Sequence, residues 1–230
     1  MGNEGQKRNV GYRAAELVEG GQRLGLGTGS TVLFYLERLG ERIRSEKLEV
    51  VGVPTSVQTM EQAMAFDIPL ATLDEIQEFD LYVDGADEID GHFRMIKGGG
   101  GALLREKIIA SCSNRKVIIV DESKVVERLG SGFALPVEVI PFGRKVCENR
   151  LQKLGCNPLL RTANGNPFVT NNGNHILDCR FEHGIEFPEQ TEAAINAIPG
   201  VVCCGLFIGL ADRVLVGKPD GSVEELGKTG

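Results

Sequence analysis

Four stretches of this chain combine residue types able to do chemistry. The first is Gly25-Leu26-Gly27-Thr28-Gly29-Ser30-Thr31. Glycines let the backbone approach a ligand, and N–H groups at the start of the next helix favour an anion. Ser30 and Thr31 add hydroxyl donors. The loop lacks the G-K-[ST] of a Walker A motif. The dinucleotide fingerprint G-x-G-x-x-G also fails, because Val32 or Ser30 stands where its third glycine belongs. A plain strand-to-helix turn with a Ser/Thr cap remains the alternative. The second stretch is Asp84-Gly85-Ala86-Asp87-Glu88-Ile89-Asp90, directly after the apolar Leu81-Tyr82-Val83. Acids crowded at the end of a buried strand are costly unless something pairs with them. A Mg²⁺ site is one reading, and sugar hydroxyls with a catalytic lysine are another. A solvated acidic turn is the bland one.

The third is Lys97-Gly98-Gly99-Gly100-Gly101, running into Ala102–Ala110. Glycines fronted by a lysine at a helix start suit an anion or an oxyanion. In that helix, Arg105, Glu106 and Lys107 are about 100° apart, so all three cannot face water. Glu106 has Ala102, Leu103, Ile109 and Ala110 as its i±3 and i±4 neighbours. Desolvation there raises a carboxylate's proton affinity, as a general base requires. An ion pair with a neighbouring cation explains the residue equally well. The fourth stretch is Asp121-Glu122-Ser123-Lys124, just past another apolar run, where Lys124 is placed to meet a phosphate. Lys7 and Arg144 are weaker candidates for a second cation.

These motifs need elements to position them. The pattern predicts helices over 6–19, 31–44, 56–65 and 102–111, and strands over 23–26, 48–53, 69–71, 79–83 and 116–120. Strands this apolar have no wet face, which argues for a parallel sheet covered by helices on both sides. Ligands in such α/β sheets sit beyond the carboxyl ends of the strands, where these motifs fall. After about Gly130 the pattern changes. Strands over 137–140, 168–170, 175–179 and 201–208, with helices over 144–154 and 191–198, suggest a small α+β domain of ferredoxin-like type. Asn171-Asn172-Gly173-Asn174 is a hairpin signal, and 214–217 is expected to return to the first sheet.

Composition narrows the classes. The chain has 230 residues, 42% hydrophobic and 25% charged, with a net charge of −7. Those values suit a globular protein and exclude a disordered chain, a collagen or a disulfide-dependent miniprotein. The acidic balance argues against nucleic acid as the partner, because phosphate backbones demand basic faces. The six cysteines (112, 147, 156, 179, 203 and 204) show no C-x-x-C spacing, and His92, His175 and His183 are scattered, so reduced thiols and no metal centre are expected. The polar N-terminus is no signal peptide, and the longest apolar run is too short to span a bilayer. The expectation is a cytoplasmic protein without membrane partners.

Taken together and in order, G-x-G-T-G-S-T, D-G-A-D-E, K-G-G-G-G-A-L-x-R-E-K and a Ser-Lys after a strand resemble type A ribose-5-phosphate isomerase. Leu135–Pro141 and Ala197–Val202 extend the resemblance, which runs from about Lys7 to Gly221. It implies a Rossmann-like catalytic domain over 1–130 plus 207–230 and a small α+β domain over 131–206 at an oligomer interface. It also implies a homodimer or homotetramer, no cofactor, and a place in the non-oxidative pentose phosphate pathway. The implied reaction interconverts D-ribose 5-phosphate and D-ribulose 5-phosphate through a cis-enediolate. Glu106 would be the general base. Asp84 and Asp87 would bind sugar hydroxyls, with Gly85 and Ala86 beside them. Lys97 and the N–H groups of Gly98, Gly99 and Gly100 would stabilise the enediolate oxygen. Thr28, Gly29, Ser30, Thr31, Lys124 and Lys7 would hold the phosphate. Two departures from the family pattern, Thr55–Thr59 after the second strand and Gly101 in place of alanine, change no catalytic type. A sugar-phosphate sensor and a CoA-transferase-like enzyme are the rival readings. The first lacks a DNA-binding helix pair, and the second fits poorly with the paired Asp84 and Asp87.

Overall fold

The computed structural model describes residues 3–227. In chain order the first elements are α1 (Asn3–Ala15), β1 (Arg23–Leu26), α2 (Ser30–Glu46), β2 (Val51–Pro54), α3 (Val57–Ala65) and β3 (Phe79–Asp84). Next come β4 (Glu88–Ile89), β5 (Met95–Ile96), α4 (Leu103–Ser111), β6 (Ser113–Asp121), β7 (Leu135–Val139), α5 (Arg144–Gln152) and β8 (Asn157–Leu160). The chain ends with β9 (Thr162–Ala163), β10 (Asn166–Pro167), β11 (His175–Arg180), α6 (Pro188–Asn196), β12 (Val201–Cys204), β13 (Leu206–Phe207), β14 (Arg213–Gly217) and β15 (Val223–Leu226). The first compact unit takes residues up to Ala86, Arg105–Val125 and Leu210 onward. The second takes Asp87–Leu104 and Val126–Gly209.

The first unit is built on a six-stranded sheet in the order β15-β14-β6-β3-β1-β2. All neighbours are parallel except the edge pair β14 and β15. The expected return of 214–217 to this sheet occurs, with β14 beside β6. Helix α2 buries Val32, Tyr35, Leu36 and Leu39, an i, i+3, i+4, i+7 stripe. That stripe packs into one core with Leu24, Leu26, Leu81, Val83, Val117 and Ile119 of the strands. On β3 the alternation sends Tyr82 the other way, into a cluster with Val53, Ile109 and Ala110. The chain moves from β1 to β2 on one side, then returns to β3 on the other side of β1. Strand order therefore reverses between β1 and β3, the place at the strands' carboxyl ends where α/β sheets bind ligands. Gly27–Gly29 and Gly85–Ala86 are the loops that leave those ends.

The second unit contains β7-α5-β8-β11-α6-β12, with the sheet order β12-β7-β11-β8 and every pair antiparallel. That is the ferredoxin-like arrangement. Its core gathers Leu135, Val137, Val139, Leu151, Leu177, Ile195 and Cys204. A hairpin of β9 and β10 is inserted between β8 and β11. A small sheet in the order β13-β5-β4 also belongs to this unit.

Four expectations differ from the structure. The strand expected over 69–71 is only an isolated bridge between Gly52 and Leu70. Residues 87–104 belong to the second unit, because β4 pairs with β5 and β5 pairs with β13. The second strand of the ferredoxin-like unit is β8 and not 168–170, which contributes only a bridge between Val169 and His175. Pro158 weakens the strand signal of β8, yet proline is tolerated there because β8 is an edge strand. The single strand expected over 201–208 is broken at Gly205 into β12 and β13. A Cβ on Gly205 would stand 2.5 Å from the Lys97 carbonyl oxygen.

Glu88 shows how the second unit holds a loop without regular structure. Its carboxylate is 3% exposed and accepts backbone N–H bonds from Gly130 (2.6 Å), Gly132 (2.8 Å) and Phe133 (2.7 Å). Three amide donors satisfy one buried charge, and an amide side chain would aim its own N–H at one of them. Glu88→Gln is expected to lower unfolding stability by about 2–3 kcal/mol in urea titration. A loss under about 0.5 kcal/mol, the range of an ordinary surface substitution, would contradict this role.

Candidate functional site

In the first unit the site grows from the β1–β3 switch point. Asp84 ends β3 with no exposed surface. Its Oδ1 accepts the Thr28 N–H (3.0 Å) and the Gly85 N–H (2.7 Å), and its Oδ2 accepts the Tyr82 hydroxyl. Tyr82 and Asp84 are two residues apart on one strand, so they share a face. The opposing strand has to leave room for them. A Cβ on Gly25 would lie 2.8 Å from the Tyr82 ring, and one on Gly27 would lie 2.2 Å from the Asp84 carboxyl. The spaced glycines of this motif thus make room for two side chains of β3, and Gly29, at φ +135°, turns the chain into α2.

Helix α4 brings Glu106 into the same unit. It lies in the helix's first turn, is 3% exposed, and precedes Ile109 and Ala110 of the apolar cluster around Tyr82. This burial meets the desolvation expected from its apolar helical neighbours. Burial pushes the Tyr82 phenol well above the usual tyrosine range, and the Asp84 and Glu106 carboxylates add to the rise. Tyr82 therefore keeps its proton and donates it to Asp84.

The turn before α2 is held by hydroxyls. Thr28 Oγ1 lies 2.8, 2.9 and 3.0 Å from the hydroxyl oxygens of Thr55, Ser56 and Thr59. Thr55 and Thr59 in turn donate to the carbonyls of Leu26 (3.0 Å) and Gly27 (2.8 Å). Helix α2 has no side-chain cap at Gly29, so its first-turn N–H groups are donors for an anion. Lys7 Nζ donates to Ser30 Oγ at 3.0 Å, which places a cation at this helix start. Lys124 sits partly buried on a 3₁₀ turn after β6, at the carboxyl end of the same sheet.

The second unit holds the other expected residues. Lys97 follows β5, is 3% exposed, and has its ammonium 5.5 Å from the Phe207 ring centroid. Gly98 has φ +105°, and a Cβ there would stand 3.0 Å from Leu103 and 3.2 Å from Pro136. The Gly99 N–H donates to Asp87 Oδ2 at 2.8 Å, and a Cβ on Gly99 would stand 2.5 Å from Asp87 Oδ1. One of the N–H groups expected to meet substrate is therefore engaged in orienting Asp87. Gly100 beside it is exposed. Arg144 pairs with Glu148 along α5 at 3.4 Å.

The acids of the second motif turn out to have separate partners. Asp84 takes Thr28, Gly85 and Tyr82, Asp87 takes Gly99, and Glu88 takes the 130–133 loop. Asp90 pairs with Arg94 at 2.7 Å. Among the described residues no three His, Cys, Asp or Glu side chains gather to hold a metal ion. Sequence reasoning passed over Tyr82, whose i, i+2 spacing to Asp84 was the available signal. It also treated Thr55, Ser56 and Thr59 only as a departure from pattern.

The chain is similar to known proteins over nearly its whole length. A family model described as ribose 5-phosphate isomerase A (phosphoriboisomerase A) matches residues 51–221. Ribose-5-phosphate isomerase A of Roseiflexus castenholzii is 52% identical over 220 residues, covering 95% of this chain and 94% of that protein. The structure of ribose 5-phosphate isomerase A from Methanocaldococcus jannaschii superposes with a TM-score of 0.93 at 42% identity, covering 98% of this chain and 100% of that one. A D-ribose-5-phosphate isomerase in complex with phospho-erythronic acid superposes with a TM-score of 0.94 at 38% identity, covering 98% and 99%. With half its residues shared along matching lengths and the same fold throughout, the chain belongs to the ribose-5-phosphate isomerase A family.

Proposed function

We propose that this chain interconverts D-ribose 5-phosphate and D-ribulose 5-phosphate by moving a proton between C2 and C1. The observation that carries the reading is the pair of carboxylates, Asp84 and Glu106, both buried in the first unit, with the Tyr82 hydroxyl bonded to Asp84. Proton abstraction beside a carbonyl needs a positioned base and an electropositive group at the oxygen that gains charge. Glu106 is that base. It takes the C2 proton of the open-chain aldose, the electron pair forms the C1–C2 double bond, and O1 becomes the enediolate oxygen. Return of the proton to C1, with transfer of the O2 proton to O1, completes the ketose. Lys97 and the N–H groups of Gly98 and Gly100 stabilise the enediolate oxygen, while the Gly99 N–H holds Asp87. Asp84 and Asp87 bind sugar hydroxyls and shuttle the hydroxyl proton.

Phosphate is held at the start of α2 by Thr28, Gly29, Ser30 and Thr31, with Lys7 and Lys124 as counter-charges. The Lys7–Ser30 bond supports this assignment. Phosphate binding lends remote binding energy to orientation at C1 and C2. The substrate is a small sugar phosphate, with neither nucleic acid nor membrane as partner. The working form is a homodimer or homotetramer with the ferredoxin-like unit at its interface. Phe142 of that unit is 99% exposed and Val146 is 54% exposed, as an interface requires. The compartment is the cytoplasm, consistent with six cysteines of which none forms a disulfide. No described helix is long and apolar enough to cross a membrane.

Glu106→Gln keeps the shape of the side chain and removes the base. Ribulose 5-phosphate formation from ribose 5-phosphate, measured with excess EDTA, is expected to fall by about 10³-fold. Sugar-phosphate affinity is expected to stay within about threefold of wild type, since the base acts in the transition state. Retained turnover, or equal loss of turnover and binding, would contradict the role of Glu106.

A further inference from the structure

Arg161 lies in the turn between β8 and β9, at the root of the hairpin inserted into the ferredoxin-like unit. Its Nη1 donates to two successive carbonyls of the glycine loop, Gly98 O at 2.8 Å and Gly99 O at 3.0 Å. The rest of the guanidinium is fixed by Asp178 of β11, with Nε to Oδ2 at 3.0 Å and Nη2 to Oδ1 at 2.5 Å. Only 14% of the Arg161 side chain is exposed. Phe168, beyond the same hairpin, lies over the guanidinium at 5.8 Å. Its ring also fills the space beside Gly101, where a Cβ would stand 2.5 Å from it.

A trans peptide points its C=O and the next N–H in opposite directions. By holding the carbonyls of Gly98 and Gly99, Arg161 turns the N–H groups of Gly99 and Gly100 to the opposite face of the loop. The Gly99 N–H is there bonded to Asp87, which marks that face as the one carrying a proposed substrate-binding carboxylate. A loop so rich in glycine has many conformations of similar energy, and two carbonyl bonds to one anchored cation select among them. A donor on a carbonyl also polarises its peptide and strengthens the N–H behind it.

We propose that Arg161, anchored by Asp178, is a positioning residue that sets the 98–100 loop with the Gly99 N–H on Asp87 and the Gly100 N–H toward the developing enediolate oxygen. This rests on the reading of that loop and Lys97 as the electrophilic part of an isomerase. A lysine at this position would not make the same set of bonds, because it lacks the planar fork that reaches two carbonyls and a carboxylate at once.

The test compares Arg161→Ala, Asp178→Asn and Lys97→Ala with wild type in steady-state assays on ribose 5-phosphate. Arg161→Ala is expected to lose kcat by on the order of 10- to 100-fold while KM changes by less than about threefold. Millimolar guanidinium added back is expected to restore part of that kcat. Asp178→Asn, the milder variant, should give a smaller loss with the same kcat-to-KM split, and serves if Arg161→Ala does not fold. A folded Arg161→Ala at the wild-type rate, beside an inactive Lys97→Ala, would overturn the clamp alone. Losses in kcat and KM together, without guanidinium rescue, would do the same, since they mark a merely structural residue. Lys97→Ala at the wild-type rate would overturn the catalytic reading of the loop and the clamp with it.

Discussion

The structure of the first unit depends on keeping one carboxyl group, that of Asp84, fully buried at the end of a parallel strand. Burying an ionised carboxylate costs several kcal/mol unless donors surround it. Two loop N–H groups and the Tyr82 hydroxyl supply them. Much of the surrounding sequence follows from that requirement. Gly27 has no side chain because Asp84 occupies the place of one, and Gly25 yields to Tyr82 in the same way. Thr28 must present its N–H to Asp84, so its hydroxyl is fixed among those of Thr55, Ser56 and Thr59. The turn that results sets the start of α2, where an anion is expected to bind.

The second unit repeats the logic with different parts. There a backbone N–H from Gly99 orients Asp87, and the glycine without a Cβ leaves room for that carboxylate. In both units some donors of a glycine-rich loop are engaged by acids of the chain itself. Donors engaged in this way fix the conformation of a glycine-rich loop, which is the preorganisation that the proposed reaction calls for. The chain passes between the units at four points, two of which, Ala86–Asp87 and Leu104–Arg105, fall inside the motifs that carry Asp84, Asp87 and Glu106.

Much of the fold was legible because it rests on local patterns. Leu81-Tyr82-Val83 and Val117–Val120 have no polar alternation, which marks strands buried on both faces. Asp84, Lys97, Glu106 and the glycine loops declare themselves by residue type and by their place next to strand ends or helix starts. What was hidden depends on distant pairing. Strands β4 and β5 have two residues each, too short for any periodicity, and only pairing with β13 assigns them to the second unit. Pro158 removes a ladder donor and so weakens the strand signal of β8. The contact of Arg161 with the glycine loop joins residues 63 apart in sequence, and nothing near Arg161 announces it. Tyr82 is the exception, since a period of two already put it on the same face as Asp84.

The central claim is that a carboxylate base carries the proton between two carbons. Ribose 5-phosphate labelled with deuterium at C2 tests it directly, with EDTA present and turnover run to equilibrium. A base that holds the proton between abstraction and return exchanges it with solvent in part, so the account predicts deuterium lost to water as ribulose 5-phosphate forms. Complete retention of the label at C1 through many turnovers would mean that hydrogen passes directly between the carbons, and would contradict the account.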